Sequence, residues 1–445
     1  MSELKTISRH AGTVLVGQLA TMAFGVTDTI VAGRYAEASL AALSVGSAIY
    51  ISVYVTLMGV LQALLPVWSE LHGANQTRQL GFSFRQSLYL CAALLVFGMF
   101  ILLQPAPLLR WADVPPDLRD EVLAYLGVLA LALPPALLFR LYSTLNQSLG
   151  KPLLVTWLQI GSLFVKVPLS IWFAFGGLGL PAQGAVGCAL ATLVVQCLML
   201  VLAIGLLRTR PLYRPYRLWD RLERPHGATL LAFARVGLPS GLAILVEVTS
   251  FTLMALFVAR LGTTAAASHQ IASNLAAVLY MVPLAIGIAT SARTSYWLGA
   301  GQPRLARHAV GWGFALVLGC ALLLAGTLLM VRTPLAQLYA RSPEVVALAV
   351  PLLAWTAAFH LFDALQALAV FVLRCFNITL APFLIYGVSL WGLGLYGGYL
   401  LAYQGLGPWS PMQNPVAFWL MGSMALMLAA LIFWLMIWLV LKREH

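Results

Sequence analysis

Apolar residues in this chain are gathered into blocks of about 20 residues, the length that crosses the hydrocarbon core of a bilayer as a helix. Strands of a membrane β-barrel would instead give shorter segments with strict alternation, a pattern that this sequence lacks. The apolar blocks number twelve and lie at residues 13–33, 42–67, 82–104, 121–142, 153–176, 184–207, 234–259, 268–291, 309–331, 345–371, 381–402 and 415–440. We therefore predict an all-α integral membrane protein with twelve transmembrane helices.

The composition agrees with lipid as the solvent for most of the surface. Hydrophobic residues make up 61% of the chain and charged residues 9%, whereas charged residues are about 25% of an ordinary soluble domain. In lipid every backbone polar group must be hydrogen-bonded within the protein, and helices meet that requirement. The composition therefore excludes a water-soluble fold of this length.

Lysine and arginine are distributed unequally between the two sides of the predicted membrane. Nineteen of the 26 lie in the termini and the even-numbered loops, and six lie in the odd-numbered loops. The side richer in basic residues faces the cytoplasm, so we expect both termini to be cytoplasmic. The net charge of +12 is then a signal of topology, and we expect no nucleic-acid partner.

The longest basic stretch, RTRPLYRPYRLWDRLERPH at residues 208–226, contains six arginines and lies midway along the chain. We predict that it is a cytoplasmic linker between an N-terminal six-helix lobe (1–207) and a C-terminal six-helix lobe (227–445). It either anchors the topology or also contacts lipid head groups or a partner.

The two halves repeat each other at a nearly constant offset. Shifting the chain by 226 residues places HGANQTR (72–78) on LGAGQPR (298–304), and at an offset of 230 SLGKP (148–152) meets ITLAP (378–382). Six-helix halves of the same orientation are parallel repeats, an arrangement that is common in transporters. The repeat therefore predicts two pseudo-symmetric bundles and favours transport by alternating access.

Ionisable residues inside a membrane cost several kcal/mol and indicate function by default; four stand out here, Asp28, Lys166, Glu247 and Asp363. A carboxyl group in a low-dielectric interior can bind and release H+ or Na+, although a structural hydrogen bond between helices is the alternative for each. Lys166 should either pair with Asp28 or extend outward to the membrane surface.

Several uncharged residues in the predicted helices are candidates for a substrate path. Aromatic rings and methionine suit flat apolar cations, although ordinary helix packing or core hydrogen bonds are the alternative for all of them. The candidates are Tyr50, Tyr54, Met58, His269, Asn274, His360 and Gln366. The sequence has no phosphate-binding loop, Cys/His metal cluster or nucleophile motif, which argues against an ATP-driven pump or an enzyme.

Four segments carry a resemblance to a known family: FGVTDTIVAGRY (24–35), GLPSGLAILVEVTSF (237–251), VARLGTTAAASHQIASN (258–274) and LFDALQALAVFVLRCF (361–376). Together they resemble the multidrug and toxic compound extrusion (MATE) family in its bacterial NorM-like branch. The resemblance covers nearly the whole chain. It implies a V-shaped antiporter in the bacterial inner membrane, a monomer that exports organic cations in exchange for Na+ or H+ and that needs no other cofactor.

The resemblance also assigns roles to single residues. It implies that Glu247 and Asp363 are the cation-binding carboxylates of the C-terminal lobe, which would hold Na+ if sodium is the coupling ion. It implies that Asp28 couples to protons or substrate in the N-terminal lobe. Where the family commonly has two asparagines in the fifth helix, this chain has Lys166 and Ser170. A lysine beside Asp28 would replace a bound cation, which favours the C-terminal pair as the coupling site.

Two other functions are compatible with twelve helices. An exporter of lipid-linked precursors would need basic residues along its central cavity, and only Lys166 qualifies. A polytopic enzyme acting on lipids would need clustered catalytic residues in the loops at one membrane face, and the sequence has none. An antiporter of drug-like or metabolite cations is therefore the leading hypothesis.

Overall fold

The computed structural model describes residues 3–111, 115–177, 179–405, 407–408 and 410–443. Within these ranges twelve helices are long and apolar enough to cross a membrane, which confirms the predicted fold class. They are α1 (Glu3–Tyr35), α2 (Glu37–Gly73), α3 (Thr77–Leu103), α4 (Leu118–Ser148), α5 (Leu153–Phe175), α6 (Gly184–Thr209), α7 (Gly227–Ala259), α8 (Thr263–Gly299), α9 (Pro303–Tyr339), α10 (Pro343–Cys375), α11 (Leu380–Gln404) and α12 (Val416–Lys442).

Most of the helices extend beyond the apolar blocks that predicted them. The block at 42–67, for example, lies within a helix that begins at Glu37 and ends at Gly73, with one turn at residues 63–64. Hydrophobicity marks only the part of a helix inside the hydrocarbon, whereas the backbone hydrogen bonds continue into the polar ends. The start of α9 and of α10 is set by Pro303 and Pro343, because proline suits the first turn, where its missing N–H is not needed.

The chain divides into two compact units, each with its own hydrophobic core. The N-terminal unit comprises Val16–Gly241, and the C-terminal unit comprises Met1–Leu15 together with Leu242–His445. Two helices therefore change unit along their length: α1 after Leu15 and α7 after Gly241. Residues 208–226, the predicted linker, group with the N-terminal unit.

The repeat is visible in the turns that end α2 and α8. Asn75 (φ 57°) and Gly301 (φ 69°) both adopt the left-handed conformation that follows a helix. The backbone N–H of Gln76 donates to the carbonyl of Leu71, and that of Gln302 donates to Trp297, each over 2.9 Å. Equivalent atoms 226 residues apart thus make the same hydrogen bond.

The second match, at an offset of 230, was wrong. The turn after α4 has its left-handed residue at Gly150 (φ 66°) and the turn after α10 has it at Asn377 (φ 58°), positions that are 227 apart. Backbone conformation defines these turns, and glycine and asparagine both tolerate it. Matching side chains by similarity therefore shifted the alignment by three residues.

The α11 helix departs from regular geometry. Residues Gly387–Tyr396 and Leu400–Gln404 have the wider π-helical hydrogen bonding, which often marks functional sites. Gly398 lies close to Phe418 and Gly394 close to Gly422 of α12, so the two helices approach closely.

Candidate functional site

Glu247 of α7 and Asp363 of α10 line one cavity of the C-terminal unit, formed by α7, α10, α11 and α12. The volume of this cavity is about 40 Å³. The remaining lining side chains are apolar except Ser250, whose hydroxyl already donates to the backbone carbonyl of Val246 over 2.7 Å. The two carboxylates are therefore the charged groups of an otherwise apolar chamber.

Regular helix geometry explains why these residues meet. Glu247, Ser250, Phe251 and Met254 lie at spacings of three and four residues, so they share one face of α7. The same periodicity places Phe359 and Asp363 together on α10. On the α11 and α12 side, glycines at 394 and 422 contribute no side chain, and the chamber keeps its space there.

Asp363 is the terminus of a buried hydrogen-bond chain. The amide Nε2 of Gln366 donates to Oδ1 of Asp363 over 2.8 Å, and the hydroxyl of Tyr386 donates to Oε1 of Gln366. All three side chains are buried. The chain fixes one oxygen of the carboxylate and leaves further acceptor positions on Asp363 for a cation.

Aromatic rings form a compact cluster beside this chamber. Phe251, Phe359 and Trp419 contact one another edge to face, with ring centroids 5.3 to 6.5 Å apart. The indole N–H of Trp419 donates to Nδ1 of His269 over 3.2 Å, and Nε2 of that ring lies 3.2 Å from the hydroxyl of Ser273. Both nitrogens of His269 are thus engaged in structural hydrogen bonds.

The other candidates of the C-terminal unit lie in different surroundings. His360 is buried, one turn before Asp363, and neither ring nitrogen has a hydrogen-bond partner among the described residues. Asn274 lies on an exposed face of α8, where it accepts a hydrogen bond of 3.0 Å from Gln270. Of these two residues, only His360 is buried and lies close in sequence to a residue that lines the carboxylate chamber.

In the N-terminal unit Asp28 of α1 forms an ion pair with Lys166 of α5, with 2.7 Å between Nζ and Oδ1. The ammonium also donates to the backbone carbonyl of Cys188 over 2.9 Å and to Oγ1 of Thr192 over 2.7 Å. Ser170 donates to Oδ1 of Asp28 over 3.0 Å. The ammonium has three protons, and it finds three acceptors here.

The local sequence explains this arrangement. Lys166 and Ser170 lie one turn apart on α5, and Cys188 and Thr192 lie one turn apart on α6, so each pair shares a face. Gly187 lies so close to the backbone of α5 that a side chain would not fit. The side chain of Lys166 is completely buried, and it therefore does not extend outward to the membrane surface.

The remaining candidates lie on α2 of the N-terminal unit. Tyr50 and Tyr54 stack with ring centroids 5.7 Å apart and planes only 6° from parallel. Met58, one turn further, has its sulfur against the guanidinium of Arg140. The stacked pair offers an aromatic face, whereas the sulfur of Met58 already has a cationic neighbour.

Sequence reasoning missed several residues of these sites. Thr192 and Tyr386 are neutral, and nothing in their spacing points to Lys166 or Gln366. Arg374 lies in an even-numbered loop of the predicted topology, between the blocks 345–371 and 381–402, but it is 4% exposed, and its guanidinium lies 4.8 Å from the ring centroid of Phe371. The irregular, glycine-rich segment 387–398 was the one available signal for the wall of the chamber.

The MatE family model matches residues 14–172 and 239–400 of this chain. The probable multidrug resistance protein NorM of Aromatoleum aromaticum is 36% identical over 438 residues, which cover 98% of this chain and 94% of that protein. The multidrug resistance protein PmpM of Pseudomonas aeruginosa is 34% identical over 417 residues, which cover 93% and 86%. Among solved structures, the eukaryotic MATE transporter AtDTX14 matches with a TM-score of 0.89 at 20% identity, covering 99% of this chain and 98% of that one.

Proposed function

Since this chain belongs to the MATE family, in its NorM-like branch, we propose that it is a secondary antiporter that exports organic cations in exchange for Na+ or H+. Members of this family are transporters and not enzymes. Its relatives are named multidrug resistance proteins, so the proposed substrates are drug-like small molecules. The proposal includes alternating access, location in the inner membrane and cytoplasmic termini.

The observation that carries this proposal is the pair of carboxylates in one apolar chamber. Among the residues that the structure describes, no basic side chain lines this chamber. Carboxylate oxygens are preferred ligands of hard cations, and a proton would also neutralise either group. A cation that enters such a chamber is held by charge, and a second cation can displace it.

Asp28 is assigned a different part in this mechanism. Its charge is balanced by an ammonium that is covalently attached to α5, so it needs no exchangeable ion. We therefore place ion exchange at Glu247 and Asp363, with Asp28 and Lys166 as a resident pair in the N-terminal unit.

Flux in proteoliposomes tests the proposal. Purified protein is reconstituted, a Na+ or H+ gradient is imposed, and transport of a monovalent cationic dye is compared with that of a neutral or anionic analogue of similar size. We expect gradient-driven transport with preference for the cation. Glu247→Gln and Asp363→Asn should each abolish gradient-driven transport, because the uncharged amide side chain cannot bind and release a cation as a carboxylate does.

A matched control is available on the same helix as Asp363. Glu344 lies in the first turn of α10 and is exposed, so Glu344→Gln removes a carboxylate without altering the chamber and should transport at the wild-type rate. Wild-type transport by both chamber variants would place the ion site elsewhere. Preferred export of the anionic analogue would favour a lipid-linked precursor as substrate.

A further inference from the structure

The stretch 208–226 packs firmly against the N-terminal unit. Arg85 of α3, which is buried, donates from Nε and from a terminal nitrogen to the two carboxylate oxygens of Glu223, and its other terminal nitrogen donates to the carbonyl of Arg217 over 2.6 Å. Tyr213 donates to Oδ1 of Asn146 over 2.7 Å. These bonds hold the segment across the ends of α3 and α4.

Close approach reinforces this docking. Gly81 of α3 lies directly against the backbone carbonyl of Tyr216, where a side chain would not fit. Gln86 accepts a hydrogen bond of 2.8 Å from the backbone of His226 and donates one of 3.1 Å to the carbonyl of Arg224. The segment is therefore a fixed part of the N-terminal unit.

A second cavity lies beneath this segment, and its volume is about 300 Å³. Its walls come from α3, α4 and α6, and its cover comes from residues 218–222 of the docked segment. The lining is apolar apart from Arg85, Tyr142 and Asp220. Pockets of roughly 300–1,000 Å³ with mostly apolar walls are typical of small-molecule sites.

The mouth of this cavity combines apolar and cationic groups. Ile204, Trp219 and Leu222, all of which line it, are 36%, 51% and 48% exposed. The guanidinium of Arg208 lies 4.5 Å from the ring centroid of Trp219. Arg221, which is exposed, lies in sequence between two residues of the cover that line the cavity.

The docked segment as a whole is positively charged. Residues 208–226 contain six arginines and two carboxylates, a net charge of +4. One of the carboxylates, Glu223, is already bonded to Arg85, and the other, Asp220, lines the cavity. The six arginines are all exposed.

We propose that this cavity binds an anionic phospholipid, with an acyl chain against the apolar walls and the phosphate at Arg208 and Arg221. An apolar cavity with a cationic rim at the end of membrane helices matches both parts of such a molecule. Tryptophan is enriched at the level of lipid head groups, and arginine clusters next to a membrane helix attract anionic lipids. Asp220 would oppose a phosphate, but the surrounding arginines outnumber it.

The test uses the full-length protein purified in detergent and measures retained phospholipid by native mass spectrometry. Phosphatidylglycerol and phosphatidylethanolamine of identical acyl composition are added in equal amounts, and inorganic phosphate is added in a separate arm. We expect one phosphatidylglycerol molecule to be retained in preference to phosphatidylethanolamine, and inorganic phosphate to compete weakly because it has no acyl chain.

Two paired variants decide the role of the arginines. Arg208→Gln with Arg221→Gln should weaken retention of phosphatidylglycerol about 25-fold, because each arginine contributes about fivefold. The control pair, Arg214→Gln with Arg304→Gln, removes the same charge from exposed positions that do not adjoin the cavity, and it should retain lipid as the wild type does.

A third variant tests the acyl chain. Ala203 is a buried wall residue, and Ala203→Leu fills part of the cavity and should weaken retention of both phospholipids. The charge variants, which alter no buried side chain, decide the question if this variant fails to fold. Equal retention of the two phospholipids, equal loss in the control pair, or full competition by inorganic phosphate would each overturn the proposal.

Discussion

Replacing Lys166 by methionine removes the ammonium that faces Asp28 and keeps most of the side-chain volume. The wild-type pair is separated by 2.7 Å, the lysine is completely buried and the aspartate is 8% exposed. Deleting one partner of a buried ion pair commonly costs about 3–5 kcal/mol, because the other charge is left without compensation. We expect Lys166→Met and Asp28→Asn each to lower stability by about that amount.

The double variant provides the decisive comparison. With both charges removed, Ser170 and Thr192 can still bond to the asparagine amide, so the loss should be clearly smaller than the sum of the single losses. Contacting residues show coupling energies of about 0.5–3 kcal/mol, and a fully buried pair should lie at the upper end. Ser170→Ala, which removes one hydrogen bond to the carboxylate, should lower stability by about 1.5–3 kcal/mol. This loss is the reference for the effect of a single hydrogen bond at the site.

Thermal unfolding in detergent, followed by fluorescence at a fixed heating rate, measures these effects. For a unit of 150–250 residues, 1 kcal/mol corresponds to about 2–4 °C in midpoint, so each single variant should lose roughly 6–20 °C. Transport by the double variant should remain gradient-driven if ion exchange takes place at Glu247 and Asp363. If the midpoint losses of the two single variants simply add in the double variant, the two side chains are not energetically coupled. The proposal that Lys166 neutralises Asp28 would then be refuted.

Two further predictions concern the chamber and the docked segment. A methyl group at Gly422 would lie 3.4 Å from the ring of Phe359, so Gly422→Ala should fold normally and slow efflux by narrowing the chamber. Gly319→Ala is the control: its methyl group has nothing within 4 Å, and efflux should keep the wild-type rate. Equal efflux kinetics in the two variants would contradict this prediction. Hydrogen bonds from Arg85 hold the pKa of Glu223 below its usual value, so this carboxylate stabilises docking above about pH 4.5 and the contribution is lost as pH falls through the lowered pKa. Amide hydrogen exchange in residues 208–226, corrected for its intrinsic pH dependence, should accelerate as the pH falls through that range. At neutral pH, Glu223→Gln should accelerate the exchange and the control Asp220→Asn should not. Unchanged exchange in Glu223→Gln would refute the role of the bond between Arg85 and Glu223.

The fold was predictable because lipid imposes one dominant requirement. An apolar block of sufficient length has to be a helix, so the number and order of α1 to α12 followed from the sequence. Helix ends were not predictable to the residue, since α2 and α10 continue past their apolar blocks. The burial of Arg374 was missed for the same reason: a charge at the end of an apolar block can face water or the protein, and only packing decides between them.

The sites were predictable where charge was involved. A lysine in an apolar block requires a partner, and Asp28 was the available one in the same half. Neutral partners were not predictable. The carbonyl of Cys188 and the hydroxyl of Thr192 accept hydrogen bonds from Lys166 only because of the register in which α5 packs against α6. That register depends on Gly187, and its contact with α5 has no signature in the linear sequence.

The internal repeat preserves backbone conformation but not charge. At the offset of 226 residues, Asp28 corresponds to Met254, which lines the carboxylate chamber. Glu247 corresponds to Thr21, which accepts a hydrogen bond of 3.1 Å from Gln159. Units that share the same turns therefore differ in their sites: one holds an aspartate neutralised by lysine, and the other holds two carboxylates in an apolar chamber. Because a tethered ammonium cannot leave its site, whereas an ion in the chamber can be replaced, the two units are expected to differ in mechanism despite their common fold.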